Sequence, residues 1–360
     1  MLDCVADVSR MLMSREKMRF SECDARKVVA GRFLTSNDCW LRPQVASFIQ
    51  SRNPEVVLDP FAGAGDLLRV ASNLTGCQIQ GLDIQGDQWP RNDSLKSIPR
   101  LSDGMIVTNP PYLANYSAKR KGVLEQVEAY YRLSGRDDLY QVALDRCLAA
   151  CERVVAIVPE TLLNSGYDLR HAVSVTVLHD NPFSDTETPV CVVCFDRKSQ
   201  WDTEIFSDDR KVLTLSQLNS YRLRPKRTDD IRFNVPEGRI GLRAVDMPSP
   251  DKPIAFMPRR DLDYDVAGIK VSSRLLTFVE IPKMRNEEVD EVCREANRIL
   301  ARYRKKTRGL SLSPFKGNTK AGSRRRRLDY SSARAILEQA LLEIGGAREI
   351  PAAKQHLLFA

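Results

Sequence analysis

An α/β fold built on a mostly parallel, doubly wound sheet is predicted for this 360-residue chain by three observations. Between about residues 53 and 197, short β-branched runs alternate with longer segments of helical periodicity. One of these runs ends in a glycine turn that opens a helix, and another ends in a double-proline corner. After Asp196 the alternation stops and Pro, Arg and Asp dominate, so a region of different construction follows.

Seven strands are expected: Val56 to Asp59, Gln78 to Asp83, a weak one near Gln88 to Arg91, Met105 to Thr108, Val154 to Val158, Val173 to His179 and Val190 to Phe195. Between them Leu67 to Leu74, Gly122 to Tyr131, Leu139 to Glu152 and Leu162 to Leu169 carry helical spacing. The last two strands follow each other without a clear helix, which suggests an antiparallel pair at one edge. Beyond a composition boundary near residue 200, helices are expected from Asn286 to about Lys305 and from Ser331 to Ile344. The second would be capped by Ser331 and Ser332 and ended by Gly345 and Gly346. Gly309 to Ser323 reads as a basic linker between the two.

The composition, 42% hydrophobic and 28% charged, is that of a globular chain able to bury a core. Apolar runs such as Val154 to Val158 are far shorter than a bilayer requires, and the first residues lack an apolar signal segment, so a cytoplasmic location is expected. The nine cysteines do not suggest a disulfide framework. Cys191 and Cys194 have metal-pair spacing, but they sit in a strand-like run with no second pair nearby, and no metal is expected. Charge divides unevenly. Residues 1 to 196 hold 21 Lys and Arg against 25 Asp and Glu, whereas the remaining 164 hold 34 against 22. The peak, Ala301 to Arg327, has eleven basic residues and no acidic one, the electrostatic footprint of a surface that meets phosphates.

Leu58-Asp59-Pro60-Phe61-Ala62-Gly63-Ala64-Gly65-Asp66 reads as a strand end, a glycine turn and a helix start. Gly63 and Gly65 allow close approach of a ligand to the backbone. Asp83, 18 residues after Gly65, stands where a carboxylate takes the ribose hydroxyls of an adenosine-containing cofactor. The turn is shorter than a dinucleotide fingerprint, which favours a nucleoside with a sulfonium tail over a pyrophosphate. Val107-Thr108-Asn109-Pro110-Pro111-Tyr112 then sets a planar amide and an aromatic ring at a rigid corner beyond a strand's carboxyl end. The Asn109 oxygen and the Pro110 carbonyl can accept the two hydrogens of a planar exocyclic amine while Tyr112 stacks on its ring.

These residues resemble the amino-methyltransferase family and, within it, the gamma group of DNA adenine-N6 methyltransferases. Asp59-Pro60-Phe61-Ala62-Gly63-Ala64-Gly65 resembles motif I, Asp83 with Ile84 motif II, Asn92-Asp93-Ser94-Leu95 motif III and Asn109-Pro110-Pro111-Tyr112 motif IV. Gly31 to Ser36, with Thr35, resembles motif X, which wraps the methionine end of the cofactor. Asp138-Leu139-Tyr140 resembles motif V, Ala156 to Pro159 motif VI, and Asn181-Pro182-Phe183 motif VIII, whose aromatic stacks on a flipped base. Ser36 and Asp83 depart from the Pro and Glu that many relatives have there.

The resemblance covers about residues 29 to 197. It implies a Rossmann-like, seven-stranded methyltransferase sheet that binds S-adenosyl-L-methionine through Thr35, Asp59, Pro60, Phe61, Ala62, Gly63, Gly65, Asp83, Ile84, Asp93 and Asn109. Asn109, Pro110, Pro111, Tyr112 and Phe183 would be catalytic. Asn109 lies only 14 positions after Leu95, so a target-recognition domain must follow the catalytic one. The expected organisation is an N-terminal extension over 1–28, the catalytic domain over 29–200 and a basic DNA-binding region over 201–360. The expected partner is double-stranded DNA, with a separate cognate restriction endonuclease, and the expected state is a monomer. The same corner occurs in enzymes acting on adenine or guanine of RNA and on protein glutamine. The Pro after Asp59, Phe183 and the basic C-terminal region favour DNA. A nucleic-acid-binding protein on a degenerate fold of this kind is disfavoured by the presence of Gly63, Gly65, Asn109 and Tyr112.

Overall fold

The computed structural model describes residues 38–349 except Asp87, Asp185, 227–230, 263–274 and Lys283. The chain forms two compact units, one ending at Lys211 and the other comprising Thr161–Gly166 and the chain from Val212.

The first unit carries an eight-stranded sheet whose last strand continues past the unit's end at Lys211. In chain order its strands are β1 (Val56–Asp59), β2 (Gln78–Gly81), β3 (Gly104–Thr108), β4 (Arg153–Pro159), β5 (Ala172–Val177), β6 (Val190–Asp196), β7 (Glu204–Ser207) and β8 (Arg210–Thr214), and their spatial order is β2-β1-β3-β4-β6-β5-β7-β8. β2, β1, β3 and β4 are parallel, whereas β6 runs antiparallel to both β4 and β5. β3 and β6 are buried throughout, which is why they read as continuous apolar runs: both faces of a largely parallel sheet are covered. Among the described residues five helices belong to this unit: α1 (Pro43–Arg52), α2 (Asp66–Thr75), α3 (Asn115–Arg120), α4 (Leu124–Ser134) and α5 (Leu139–Ala150). α2 buries Leu67, Leu68 and Ala71 and ends at Gly76, whose φ of 71° closes it in the left-handed conformation.

The α/β class is as expected, but some elements differ. The strand expected near Gln88–Arg91 reduces to a single bridge between Asp83 and Arg91, because Pro90 has no N–H to give to a ladder. β7 and β8, short and half polar, carry too little periodicity to be seen in advance. The helix expected over Leu162–Leu169 is a 3₁₀ turn over Glu160–Asn164, cut short at Gly166 with φ 73°.

The second unit packs α6 (Leu215–Tyr221), α7 (Val289–Thr307) and α8 (Tyr330–Glu349) with an antiparallel four-stranded sheet. The sheet order is β11 (Ala255–Pro258), β10 (Ile240–Arg243), β12 (Leu276–Glu280) and β9 (Arg232–Phe233). α7 buries Val289, Val292, Ala296, Ile299, Leu300 and Tyr303 at three- and four-residue spacing, into a core with Leu242, Phe256, Val279, Ile336 and Leu337. The segment expected as a linker is instead a hairpin of β13 (Ser313–Asn318) and β14 (Arg324–Arg327). α8 starts one residue earlier than expected, with Asp329 accepting the Ser332 N–H, and runs through Gly345 and Gly346 to Glu349. Packing of Ala340, Leu341 and Ile344 on the core outweighs the helix-breaking tendency of two glycines. Among the described residues no helix is long and apolar enough to cross a membrane.

Candidate active site

The site is assembled at the carboxyl ends of β1 and β3, which pair in parallel with Leu58 opposite Ile106. Asp59 and Thr108 are the last residues of these strands. The Thr108 hydroxyl donates to Asp59 Oδ1 at 2.6 Å, and the Phe61 N–H donates to the same oxygen at 2.9 Å. Asp59 is 2% exposed, and burial pushes its carboxyl up to about 7 against the opposing pull of these two hydrogen bonds. One carboxyl therefore ties the turn after β1 to the residue that precedes Asn109.

Within that turn Gly63 and Gly65 have φ of 50° and 79°, a region that a side chain strongly disfavours. Both peptide groups of Gly63 are held by the loop after β2. Its N–H donates to Asp83 Oδ2 at 3.3 Å, and its carbonyl accepts from Trp89 Nε1 at 3.0 Å. Asp83 Oδ1 accepts the Gln85 N–H at 2.8 Å, so the carboxylate is oriented from both sides while keeping lone pairs for further donors. The Trp89 indole lies against Gly65 and Gly81: a Cβ on either would sit 2.8 Å or 2.3 Å from its ring atoms. These two glycines therefore accommodate a neighbouring side chain, whereas a Cβ on Gly63 would meet open space. Sequence reasoning missed Trp89, because no spacing rule marks an aromatic six residues beyond a strand-end carboxylate.

Asp93 is fixed by the Tyr130 hydroxyl at 2.9 Å and the Lys96 ammonium at 3.0 Å, both on Oδ2. Its Oδ1 is buried with no hydrogen-bond partner among the described residues. Pro60 and Ala62 are buried, and the Ala62 N–H donates to the Leu82 carbonyl at 3.0 Å. Ile84 is 37% exposed. Thr35, with the rest of Gly31 to Ser36, lies outside the described residues.

The corner after β3 is built more tightly than its four residues suggest. Pro110 and Pro111 are buried and Asn109 is half-buried. The Tyr112 hydroxyl lies 2.6 Å from Asn109 Oδ1 and 2.7 Å from the Ile157 carbonyl, so its single proton has two acceptors. The Tyr112 ring is 8% exposed and meets Tyr140 and Phe183 edge-on, at 6.5 Å and 6.0 Å between centroids. Phe183 is in turn held by its own N–H, which donates to Asn181 Oδ1 at 3.1 Å. Leu113, next along, donates its N–H to Asp138 Oδ1 at 3.1 Å and accepts from the Tyr131 hydroxyl at 2.7 Å. Asp138 also caps α5, and desolvation pushes its carboxyl up to about 7. The fold thus gathers Asn109, Tyr112 and Phe183 into one cluster and joins it, through Thr108 and Asp59, to the glycine turn.

The chain matches no protein-family model and no curated protein. Among solved structures it is similar to a type I restriction-modification methyltransferase subunit from Streptococcus thermophilus, at 16% identity over 53% of each chain with a TM-score of 0.37. It therefore spans about half the length of that subunit. A second similarity is to a putative class I S-adenosylmethionine-dependent methyltransferase from Listeria monocytogenes, at 12% identity over 46% of this chain and 63% of that one, with a TM-score of 0.32. A third is to the M protein of the type I restriction enzyme EcoKI, at 14% identity over 89% of this chain and 72% of that one, with a TM-score of 0.32.

Proposed function

We propose that this chain transfers a methyl group from S-adenosyl-L-methionine to the N6 amine of adenine in double-stranded DNA, as the site-specific modification enzyme of a restriction-modification pair. The observation that carries the reading is the Asn109-Pro110-Pro111-Tyr112 corner, with its amide oxygen fixed by the Tyr112 hydroxyl and its stem tied to the glycine turn by the Asp59–Thr108 hydrogen bond.

The residues present fit the cofactor. Gly63 borders open space, Asp83 is oriented with lone pairs to spare, and Asp93 Oδ1 is a buried acceptor lacking a donor among the described residues. Asp83 would take the ribose hydroxyls and Asp93 a donor on the adenine ring of the cofactor, with Thr35, Asp59 to Ala62, Gly63, Gly65 and Ile84 completing the cradle. When bound, S-adenosylmethionine supplies an already activated methyl, so the protein needs no strong base or nucleophile.

The chain's own task is to orient the target amine. Asn109 Oδ1 and the Pro110 carbonyl accept its two hydrogens and turn the nitrogen lone pair out of conjugation with the ring. As the first of these bonds forms, the Tyr112 proton can rest on the Ile157 carbonyl, which leaves the Asn109 oxygen to the substrate. Tyr112 and Phe183 are almost fully buried and meet edge-on, so an extruded base would stack on these rings only once they part. Extrusion from a duplex costs a few kcal/mol, which contacts from the basic region over 201–360 would offset. A monomer in the cytoplasm, paired with a separate nuclease, completes the reading.

The test is transfer of tritiated methyl from S-adenosylmethionine to unmethylated duplex DNA, structured RNA and protein extract in parallel, with the labelled product identified by mass. Label recovered as N6-methyldeoxyadenosine supports the proposal. Label confined to RNA or protein overturns the substrate, and absence of transfer to all three overturns the reaction.

A further inference from the structure

The densest positive charge in the chain is folded into an ordered ribbon. β13 and β14 pair antiparallel, with Ser313 opposite Arg327, Pro314 opposite Arg326 and Asn318 opposite Arg324. The turn between them is closed by the Thr319 N–H on the Ser323 carbonyl at 2.8 Å and the Gly322 N–H on the Thr319 carbonyl at 2.9 Å. Residues 309–328 contain Lys316, Lys320 and Arg324 to Arg327 and no acidic residue.

The ribbon is held from behind by a single buried carboxylate. Asp246, 4% exposed, accepts from both Arg304 terminal nitrogens at 2.8 and 2.9 Å, from the Ile254 N–H at 3.0 Å and from the Arg326 N–H at 3.0 Å. Its carbonyl accepts from Arg325 Nε at 2.7 Å, its own N–H donates to the Arg326 carbonyl at 3.0 Å, and the Lys320 N–H donates to the Pro248 carbonyl at 2.8 Å. The arginine run therefore serves two ends. Arg326 is 6% exposed, and Arg325 lies over the Phe315 ring at 4.8 Å while bonding inward, so these two build the ribbon. Lys316 and Lys320 are exposed and Arg324 is half-exposed, so these face what approaches.

We propose that the β13–β14 ribbon is the element of the second unit that docks on the DNA duplex, with Lys316, Lys320 and Arg324 on phosphates beside a groove. The proposal rests on the DNA reading above and names the surface that serves it. A B-form major groove, about 12 Å wide, admits a two-stranded ribbon, whereas the deep and narrow major groove of A-form RNA does not. A ribbon braced in advance by Asp246 also loses little conformational freedom on docking.

The test uses the full chain and a 25-base-pair duplex, with affinity measured by fluorescence anisotropy across a salt series. The triple variant K316Q/K320Q/R324Q is compared with the control K226Q/K252Q/R294Q, which removes as many exposed charges outside the ribbon. For the ribbon triple, the slope of log affinity against log salt should fall in magnitude by about 0.9 per lost phosphate contact, with affinity at low salt down at least about tenfold. Melting temperature and S-adenosylmethionine binding should stay at wild-type values, and the control should keep the wild-type slope. An unchanged slope in the ribbon triple, an equal loss in the control, or tighter wild-type binding to structured RNA than to duplex would each overturn the proposal. Methyl transfer to DNA measured alongside separates the two readings. Transfer with an unchanged ribbon slope sinks the ribbon alone, and a lost slope without any transfer sinks the enzymatic reading while supporting the ribbon.

Discussion

The Tyr112 hydroxyl lies 2.6 Å from Asn109 Oδ1, and this contact fixes the orientation of the Asn109 amide. A tyrosine whose ring only stacked would tolerate loss of its oxygen. Here, Tyr112→Phe should free the amide to rotate and lower kcat by about 10- to 100-fold, a loss of about 1.4 to 2.8 kcal/mol, while KM for S-adenosylmethionine stays within about twofold. Asn109→Ala should abolish transfer. Steady-state kinetics on a defined duplex decides it; a Tyr112→Phe enzyme at wild-type kcat would show that the contact orients nothing.

Trp89 should prove part of the cofactor cradle. Trp89→Phe keeps an aromatic ring, though a smaller one, and removes the donor to Gly63, a loss of about 0.5 to 1.5 kcal/mol, and calorimetry should find S-adenosylmethionine bound about two- to tenfold more weakly. The packing can be tested separately. Gly81→Ala places a Cβ 2.3 Å from the indole and should cost about 1 to 3 kcal/mol in urea unfolding. Introducing the same change into Trp89→Ala should cost much less, and additive effects would mean that the two residues do not touch.

Asp59 gives the stability a pH dependence of definite sign. Its carboxyl is raised by burial from the ordinary 3.8 to about 7, so between about pH 4 and pH 7 the folded chain keeps a proton that the unfolded chain has lost. Its contribution to stability is fully present below pH 4 and is lost as pH rises through 7, and Asp138 acts in the same direction. Asp59→Asn retains an oxygen for Thr108 and Phe61 without the charge. Relative to wild type it should gain up to about 1.4 kcal/mol for each pH unit crossed in that window. Thermal melts of the cofactor-free protein at pH 5 and pH 8 provide the check, and a mutant-minus-wild-type difference that does not grow with pH would refute the assignment.

In the second unit, Asp246→Ala would strand the Arg304 guanidinium and two backbone N–H groups together. The expected loss is about 2 to 4 kcal/mol, because removing the carboxylate leaves a part-buried charge and two backbone donors unpaired. Removing Arg304 as well should restore part of it. Chemical denaturation of the single and double variants measures this coupling, and a loss below about 1 kcal/mol for Asp246→Ala would mean the site is open to water.

Much of the first unit was legible in advance. β1, β3, β4 and β6 lie within a residue or two of the expected positions, since strands covered on both faces must be apolar along their length. The glycine turn and the proline corner were visible for the same local reason, that few residue types tolerate those backbone angles. The hairpin over 313–327 was hidden, because lysines and arginines on a half-exposed ribbon have the composition of a solvated linker. The start of α8 differs by one residue because Asp329 and Ser331 are both good capping residues, and only the placed chain shows that Asp329 fills the role by accepting the Ser332 N–H.

By itself the sequence determined the α/β class, the glycine turn, the carboxylates at strand ends and the Asn109-Tyr112 corner, all properties of a few neighbouring residues. Only the tertiary structure decided that Tyr112 shares its proton between Asn109 and Ile157, that Trp89 packs against Gly65 and Gly81, and that Asp246 braces Arg304 and Arg326. Except for the Tyr112–Asn109 bond, these contacts join residues 8 to 80 positions apart in the chain. Their partners are set by how strands and loops stack in space, which local residue preferences do not encode.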